Sequence, residues 1–180
     1  MLRTTLGDKA FTLEHALDDL ECQHWIDWSE AKGYQSAPVT TRNGPVHLPE
    51  VRNNDRVMVD APEIARGLWE RIRHTMPHRP GWAPVGLNER LRFYRYDPGQ
   101  RFAMHRDGSF VRSESERSFL TLLFYLNDNY HGGQTRLLTY DVAPKRGMAL
   151  IFDHRLLHEG VELTQGRKYV LRSDVMYRRT

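Results

Sequence analysis

The sequence predicts a mainly β protein with N-terminal helices, an α+β arrangement whose core is a double-stranded β-helix (jelly roll) supported by helices. Two observations carry that expectation. From Asn88 onward, short runs of period two follow one another at 90–96, 101–105, 118–126, 133–139, 147–152, 157–164 and 168–177, separated by turn signals such as "PGQ", "DNYHGGQ" and "APKRG". Many short strands with turn residues between them are the pattern of an antiparallel barrel or jelly roll. Before Asn88 two stretches show helical spacing instead.

The first helical stretch is 11–33, where Phe11, His15 or Leu17, Leu20, His24 or Trp25, and Trp28 fall at roughly helical intervals, Thr12 is placed to cap and Gly33 to stop. The residues before it read as a fraying arm. Residues 34–56 are rich in Pro, Asn and Gly and predict a loop with short extended pieces. The polar cluster "RNNDR" (52–56) reads as a solvated loop or as part of a substrate mouth. A strand-like "VMVD" follows. The second helix is expected within 61–77, with Ile64, Leu68 and Ile72 on one stripe, Pro62 in its first turn and Pro77 beyond its end. Residues 1–87 are thus read as an N-terminal helical support region of the same domain, and 88–180 as the core.

A chain of 180 residues suits one domain. No apolar run approaches the ~20 residues that span a bilayer, and the opening residues lack the apolar stretch of a signal peptide. Cys22 is the only cysteine and cannot form an internal disulfide, which predicts a reducing, cytoplasmic setting. Charge is uneven: residues 1–87 carry 10 basic and 12 acidic groups, and residues 88–180 carry 16 and 11. A basic second half suits anionic substrates and co-substrates. It holds no long Lys/Arg run interleaved with aromatics, which counts against a nucleic-acid partner.

That half also holds the residues with chemistry. Positions i and i+2 of a strand share a face, so a strand ending at His105 and Asp107 aims an imidazole and a carboxylate at one point. His158, from a distant strand, would complete a set of two histidines and one carboxylate with open positions, the set of non-haem Fe(II) oxygenases. Lys168 offers a cation for a dicarboxylic co-substrate. In 168–177, Lys168, Val170, Arg172, Asp174 and Met176 share one face, while the more apolar Tyr169, Leu171, Ser173, Val175 and Tyr177 suit packing beneath helices. Lys168 is therefore expected to face the cavity and Arg167 to point away. Arg172 pairs with Asp174 or meets substrate. His154 is expected in a turn, since strands flank it. The segment 108–117 starts directly after Asp107, and its Phe110 and Arg112 are candidate substrate contacts on a mobile lid.

From about Leu91 to Tyr177 the chain resembles the Fe(II)- and 2-oxoglutarate-dependent dioxygenases of the prolyl 4-hydroxylase type. The resemblance lies in "YRYDPGQRFAMHRD", "LTLLFYLND", "GGQTRLL", "PKRGMALIFDHRLLHEG" and "GRKYVLRSDVMY". It implies that His105, Asp107 and His158 bind Fe(II), that Lys168 holds the distal carboxylate of 2-oxoglutarate, and that Tyr96 and Tyr125 lie against that co-substrate. It further implies O2-dependent hydroxylation of a C–H bond in a peptidyl prolyl or small-molecule substrate, releasing succinate and CO2, with ascorbate a candidate stimulant. Two alternatives remain beside it. One is a non-catalytic jelly-roll sensor of metal or 2-oxoglutarate, against which the intact ligand set and the intact Lys168 speak. The other is a nucleic-acid demethylase of the same superfamily, which typically carries arginine at the Lys168 position and again six residues on; here those positions are Lys168 and Asp174.

Overall fold

The computed structural model describes residues 1–41 and 44–180; residues 42 and 43, within the polar 34–56 stretch, lie outside the described residues. The chain is mainly β, with two α-helices among the described residues, α1 (Asp19–Lys32) and α2 (Pro62–Ile72). A ten-stranded antiparallel sheet runs in the order Leu2–Leu6, Ala10–Glu14, Ala149–Asp153, Glu116–Tyr125, Lys168–Arg179, Arg90–Tyr96, Asp55–Asp60, Gln35–Ser36. Trp82–Leu87 joins it on the Lys168–Arg179 strand and Val111–Ser113 on Glu116–Tyr125. A smaller sheet runs Tyr140–Val142, Thr135–Leu137, His158–Gly160, Phe102–His105. Each of the seven runs read as period two carries a strand.

The strand Lys168–Arg179 lies between two cores, and its alternation explains why. Tyr169, Leu171, Val175 and Tyr177 pack with Leu91, Phe93, Leu122 and Phe124, beneath Leu68 and Ile72 of α2 and Cys22 of α1. Val170, on the opposite face, packs with Tyr94, Tyr96, Tyr125, Leu150 and Phe152, and with Leu137 of the smaller sheet. Each fully buried Leu or Phe contributes about 1.5–3 kcal/mol, so a one-residue slip, which exchanges the two faces, is strongly disfavoured.

The second helix forms where its stripe and Pro62 place it, with Ala65, Leu68 and Ile72 buried. The N-terminal region differs from the expectation. Residues 2–14 are a β-hairpin, not an arm and a helical turn, and the hairpin docks on Ala149–Asp153 in the register Leu13↔Ala149 and Phe11↔Ile151. Ala10, Phe11, Thr12 and Leu13 are all buried, and a short run buried on both faces has no alternation to distinguish it from helix. Thr12 therefore caps nothing. α1 starts instead at Asp18, whose carboxylate accepts from the Glu21 N–H at 2.8 Å while Glu21 accepts from the Asp18 N–H at 2.9 Å. Trp25 and Trp28 still pack on Phe93, but Leu20 is 83% exposed. The expected helical support of residues 1–87 is thus partly sheet, since five of its strands join the large sheet.

Candidate metal centre

The smaller sheet brings His105 and His158 together. His105 ends the strand Phe102–His105, His158 opens His158–Gly160, and the two are directly paired across the ladder. Residues opposite one another in such a pair project from the same face, and here the rings lie 4.2 Å apart. Asp107 lies just past the strand, where its N–H donates to the His154 carbonyl at 2.9 Å. Its Oδ1 is 3.6 Å from His105 Nε2 and its Oδ2 is 3.5 Å from His158 Nε2. One ligand atom from each of the three residues lies within 4.8 Å of the others.

The donor set fits a metal. His105 Nδ1 is 2.8 Å from the Ala103 carbonyl and His158 Nδ1 is 2.9 Å from the Leu156 carbonyl. A carbonyl only accepts, so each Nδ1 carries the proton and each Nε2 presents its lone pair to the centre. Burial pushes His158 down to about 4, so it is a neutral ligand at physiological pH. Burial would by itself raise the Asp107 carboxyl. The Arg172 guanidinium, helped by His105, His158 and Thr121, outweighs it and holds the group ionised, well below the usual carboxylate range.

Behind Asp107 runs a hydrogen-bond chain that sequence reasoning did not find. The Thr121 hydroxyl donates to Asp107 Oδ2 at 2.5 Å and lies 2.9 Å from His154 Nδ1, while His154 Nε2 is 2.8 Å from the Ser118 hydroxyl. One assignment satisfies all three: Ser118 donates to His154, His154 to Thr121, and Thr121 to Asp107. His154 does lie in a turn, but it is buried, and burial lowers its pKa, in keeping with that neutral tautomer. The signal available was Thr121 on the cavity face of its strand. Replacing Thr121 with valine, which keeps the shape and removes the donor, should weaken metal binding by about 10–100-fold in a direct metal titration.

Lys168 enters the same cavity, lined also by Tyr96, Thr121, His158 and Arg172. It is 3% exposed, and its Nζ donates to the Gly133 carbonyl at 2.6 Å. The rings of Tyr96 and Tyr125 lie 5.2 and 5.5 Å from it. Among the described residues no carboxylate pairs with it, and burial pushes it down to about 7. Gly133 has φ +67°, and a Cβ there would meet Leu163 at 2.9 Å and the Lys168 stem at 3.3 Å, so the turn needs glycine on both counts. Tyr96 pairs with Lys168 across the ladder, and burial pushes its hydroxyl up to about 12. Tyr125 is fully buried and donates to the Thr135 hydroxyl at 2.6 Å. Arg167 faces outward, bound to Asp97 at 2.6 Å.

The remaining candidates separate. Arg172 contacts Asp174 at 3.4 Å, as one sequence reading had it, but lies closer to Asp107, at 2.9 Å. Phe110 borders the outer cavity. Arg112 does not: the Val111–Ser113 strand returns on Glu116–Tyr125 and delivers it to Glu89 and to Glu116, the latter at 2.8 Å. The 108–117 segment is accordingly a short tied hairpin and not an open loop. "RNNDR" proves to line the mouth through Arg52 and Arg56. Arg52 is buried between the Tyr94 and Phe102 rings, 4.5 Å from each.

Residues 91–173 match the model of the 2OG-Fe(II) oxygenase superfamily. The chain is 25% identical over 198 residues to prolyl 4-hydroxylase 2 of Arabidopsis thaliana, covering 89% of this chain and 64% of that protein. It is 27% identical over 153 residues to a PKHD-type hydroxylase of Paraburkholderia phymatum, covering 79% and 60%. The chain thus spans just under two thirds of the length of these relatives. Its fold is shared with the viral collagen prolyl hydroxylase of Paramecium Bursaria Chlorella virus-1, at TM-score 0.65 and 20% identity over 94% of this chain and 97% of that one. It is likewise shared with a Pseudomonas putida prolyl-4-hydroxylase, at TM-score 0.66 and 18% identity over 95% and 93%. Residues 91–173 are therefore similar to the 2OG-Fe(II) oxygenases, with relatives of the prolyl 4-hydroxylase type, a family that uses Fe(II), 2-oxoglutarate and dioxygen.

Proposed function

We propose that the protein is a hydroxylase in which His105, Asp107 and His158 would hold Fe(II) and Lys168 would hold the distal carboxylate of 2-oxoglutarate. Lys168 is the observation that carries this reading. A buried cation without a counter-charge is costly, and this one lies in the cavity that the three metal-type donors enter. A dicarboxylate supplies the missing charge. The inner cleft is narrow, about 40 Å³, so the co-substrate enters as lining side chains part, with Lys168 exchanging the Gly133 carbonyl for the carboxylate. Tyr96, beside it, offers a hydroxyl to the same oxygens. When bound, the metal and 2-oxoglutarate supply the oxidising power, releasing succinate and CO2 as a substrate C–H bond is hydroxylated. The chain's own part is to orient the three ligands through Ala103, Leu156 and Thr121, and to shield the reaction behind Phe102 and Phe152.

The names of the relatives favour a prolyl peptide as substrate, and the breadth of chemistries on one fold keeps a small molecule beside it. The single buried Cys22, whose thiol burial pushes up to about 11, supports a reducing cytoplasmic setting. Supplying the protein with Fe(II), 2-oxoglutarate and air should release succinate, detected by NMR, and more of it when the true substrate is added. Protein that has taken up Fe(II) yet forms no succinate, with any peptide or metabolite, would remove this reading.

A further inference from the structure

The mouth of the site, about 480 Å³, opens directly onto His105 and Asp107. Five arginines line it, Arg52, Arg56, Arg92, Arg106 and Arg172, against the carboxylates of Asp107 and Asp174. Neither carboxylate is free: Asp107 faces the two histidines and Arg172, and Asp174 is shared by Arg92 at 3.3 Å and Arg172 at 3.4 Å. Arg92 and Arg172 are directly paired across the ladder, a placement of like charges that costs stability. Arg56, opposite Tyr94 on the next strand, projects from the same face.

Two of these cations are withdrawn from solvent and lack a counter-charge among the described residues. Arg56 is half-buried, and its guanidinium makes no hydrogen bond or ion pair among the described residues. Arg52 is 6% exposed; its Nε donates to Asn54, but its Nη2 is buried without a partner. The local potential is strong enough that Tyr94, though burial would raise it, is drawn below its ordinary value by Arg172, Arg52 and Arg92. Desolvated, unpaired cations are costly, and guanidinium forks match carboxylate and phosphate oxygens two at a time.

Building on the hydroxylase reading, we propose that the substrate is a small molecule bearing a carboxylate or phosphate, which Arg52, Arg56 and Arg92 grip at the mouth while its carbon skeleton reaches the metal centre. The volume falls within the range of small-molecule sites. A neutral prolyl peptide leaves Arg52 and Arg56 unpaired.

The test uses the whole chain in two states, metal-free and loaded with Mn(II) and 2-oxoglutarate without dioxygen. Inorganic phosphate and 13C-labelled acetate are the probes, and acetamide is the neutral control. Broadening of the 31P or 13C signal should saturate for at least one anion and not for acetamide; the anion that responds assigns the group. Arg56→Gln should weaken that binding at least tenfold, Arg56→Lys less, and Arg66→Gln, on the outer face of α2, not at all. The Arg56 guanidinium has no hydrogen-bond or ion-pair partner among the described residues, so its variant breaks no polar contact of the folded chain. Equal broadening by acetamide, or unchanged binding in Arg56→Gln, overturns the proposal. Failure of Mn(II) to bind, read from its own EPR signal, would count against the metal-centre reading instead, and the metal-free titration still decides the anion site.

Discussion

A His158→Ala protein is expected to lose stoichiometric Fe(II) binding and, with it, all 2-oxoglutarate turnover. His158 supplies one of three donors and is held for that role twice over: its backbone is paired with His105, and its Nδ1 proton is tied to the Leu156 carbonyl. Burial keeps the ring neutral, so at pH 7 no proton has to leave before a metal arrives. Groups that merely orient such ligands cost 10–100-fold in affinity when removed, and loss of the ligand itself should exceed about 100-fold. A metal titration beside a urea denaturation curve checks this, the curve confirming that the variant is folded. Wild-type turnover in His158→Ala would refute the assignment of the centre.

Lys168→Met should separate stability from function. With the cation gone, the 2-oxoglutarate requirement should rise at least tenfold, about 1.4 kcal/mol, while Fe(II) binding is spared. Stability should move the other way. Lys168 falls to about 7 when folded, against about 10.4 unfolded, so between those values the unfolded chain holds the extra proton. Stability therefore rises as pH climbs from 7 towards 10.4 and is lost as pH falls back to 7. The methionine variant lacks that dependence and should be more stable at pH 7 by about 2 kcal/mol, after allowance for the acceptor left at Gly133. Co-substrate affinity carries the same signature. The wild-type protein should bind 2-oxoglutarate less tightly as pH rises above 7, where Lys168 is neutral, and the variant should show a flat profile. Calorimetric titration at pH 6.5, 7.5 and 8.5 gives the slope. An Arg167→Ala variant, whose side chain is bound outside to Asp97, should behave as wild type.

Much of the centre was legible because its information is local. His105 and Asp107 are two residues apart, and the alternation of 168–177 alone places Lys168 inward and Arg167 outward, as the two cores of the structure require. The second helix was equally legible, since its stripe and its proline are contained within one stretch. The hairpin at 2–14 was not. Its inner strand pairs along one edge with Ala149–Asp153 while Phe11 and Leu13 enter the core beneath the helices and Ala10 enters the other, and no property of "AFTLE" announces those neighbours.

The sequence by itself determined the chemistry available to this protein: two imidazoles and one lysine on strands of readable period, and one carboxylate two residues past the first imidazole. Only the tertiary structure decided which distant strands meet and in what register. That choice sets His158 opposite His105, turns Arg112 away to Glu116, and gathers Arg52, Arg56 and Arg92 at one mouth. The reason is physical. Side-chain period is a property of a few neighbouring residues, whereas the partner of a charge and the register of a ladder come from packing the whole sheet, in which each strand's place is fixed by those on either side.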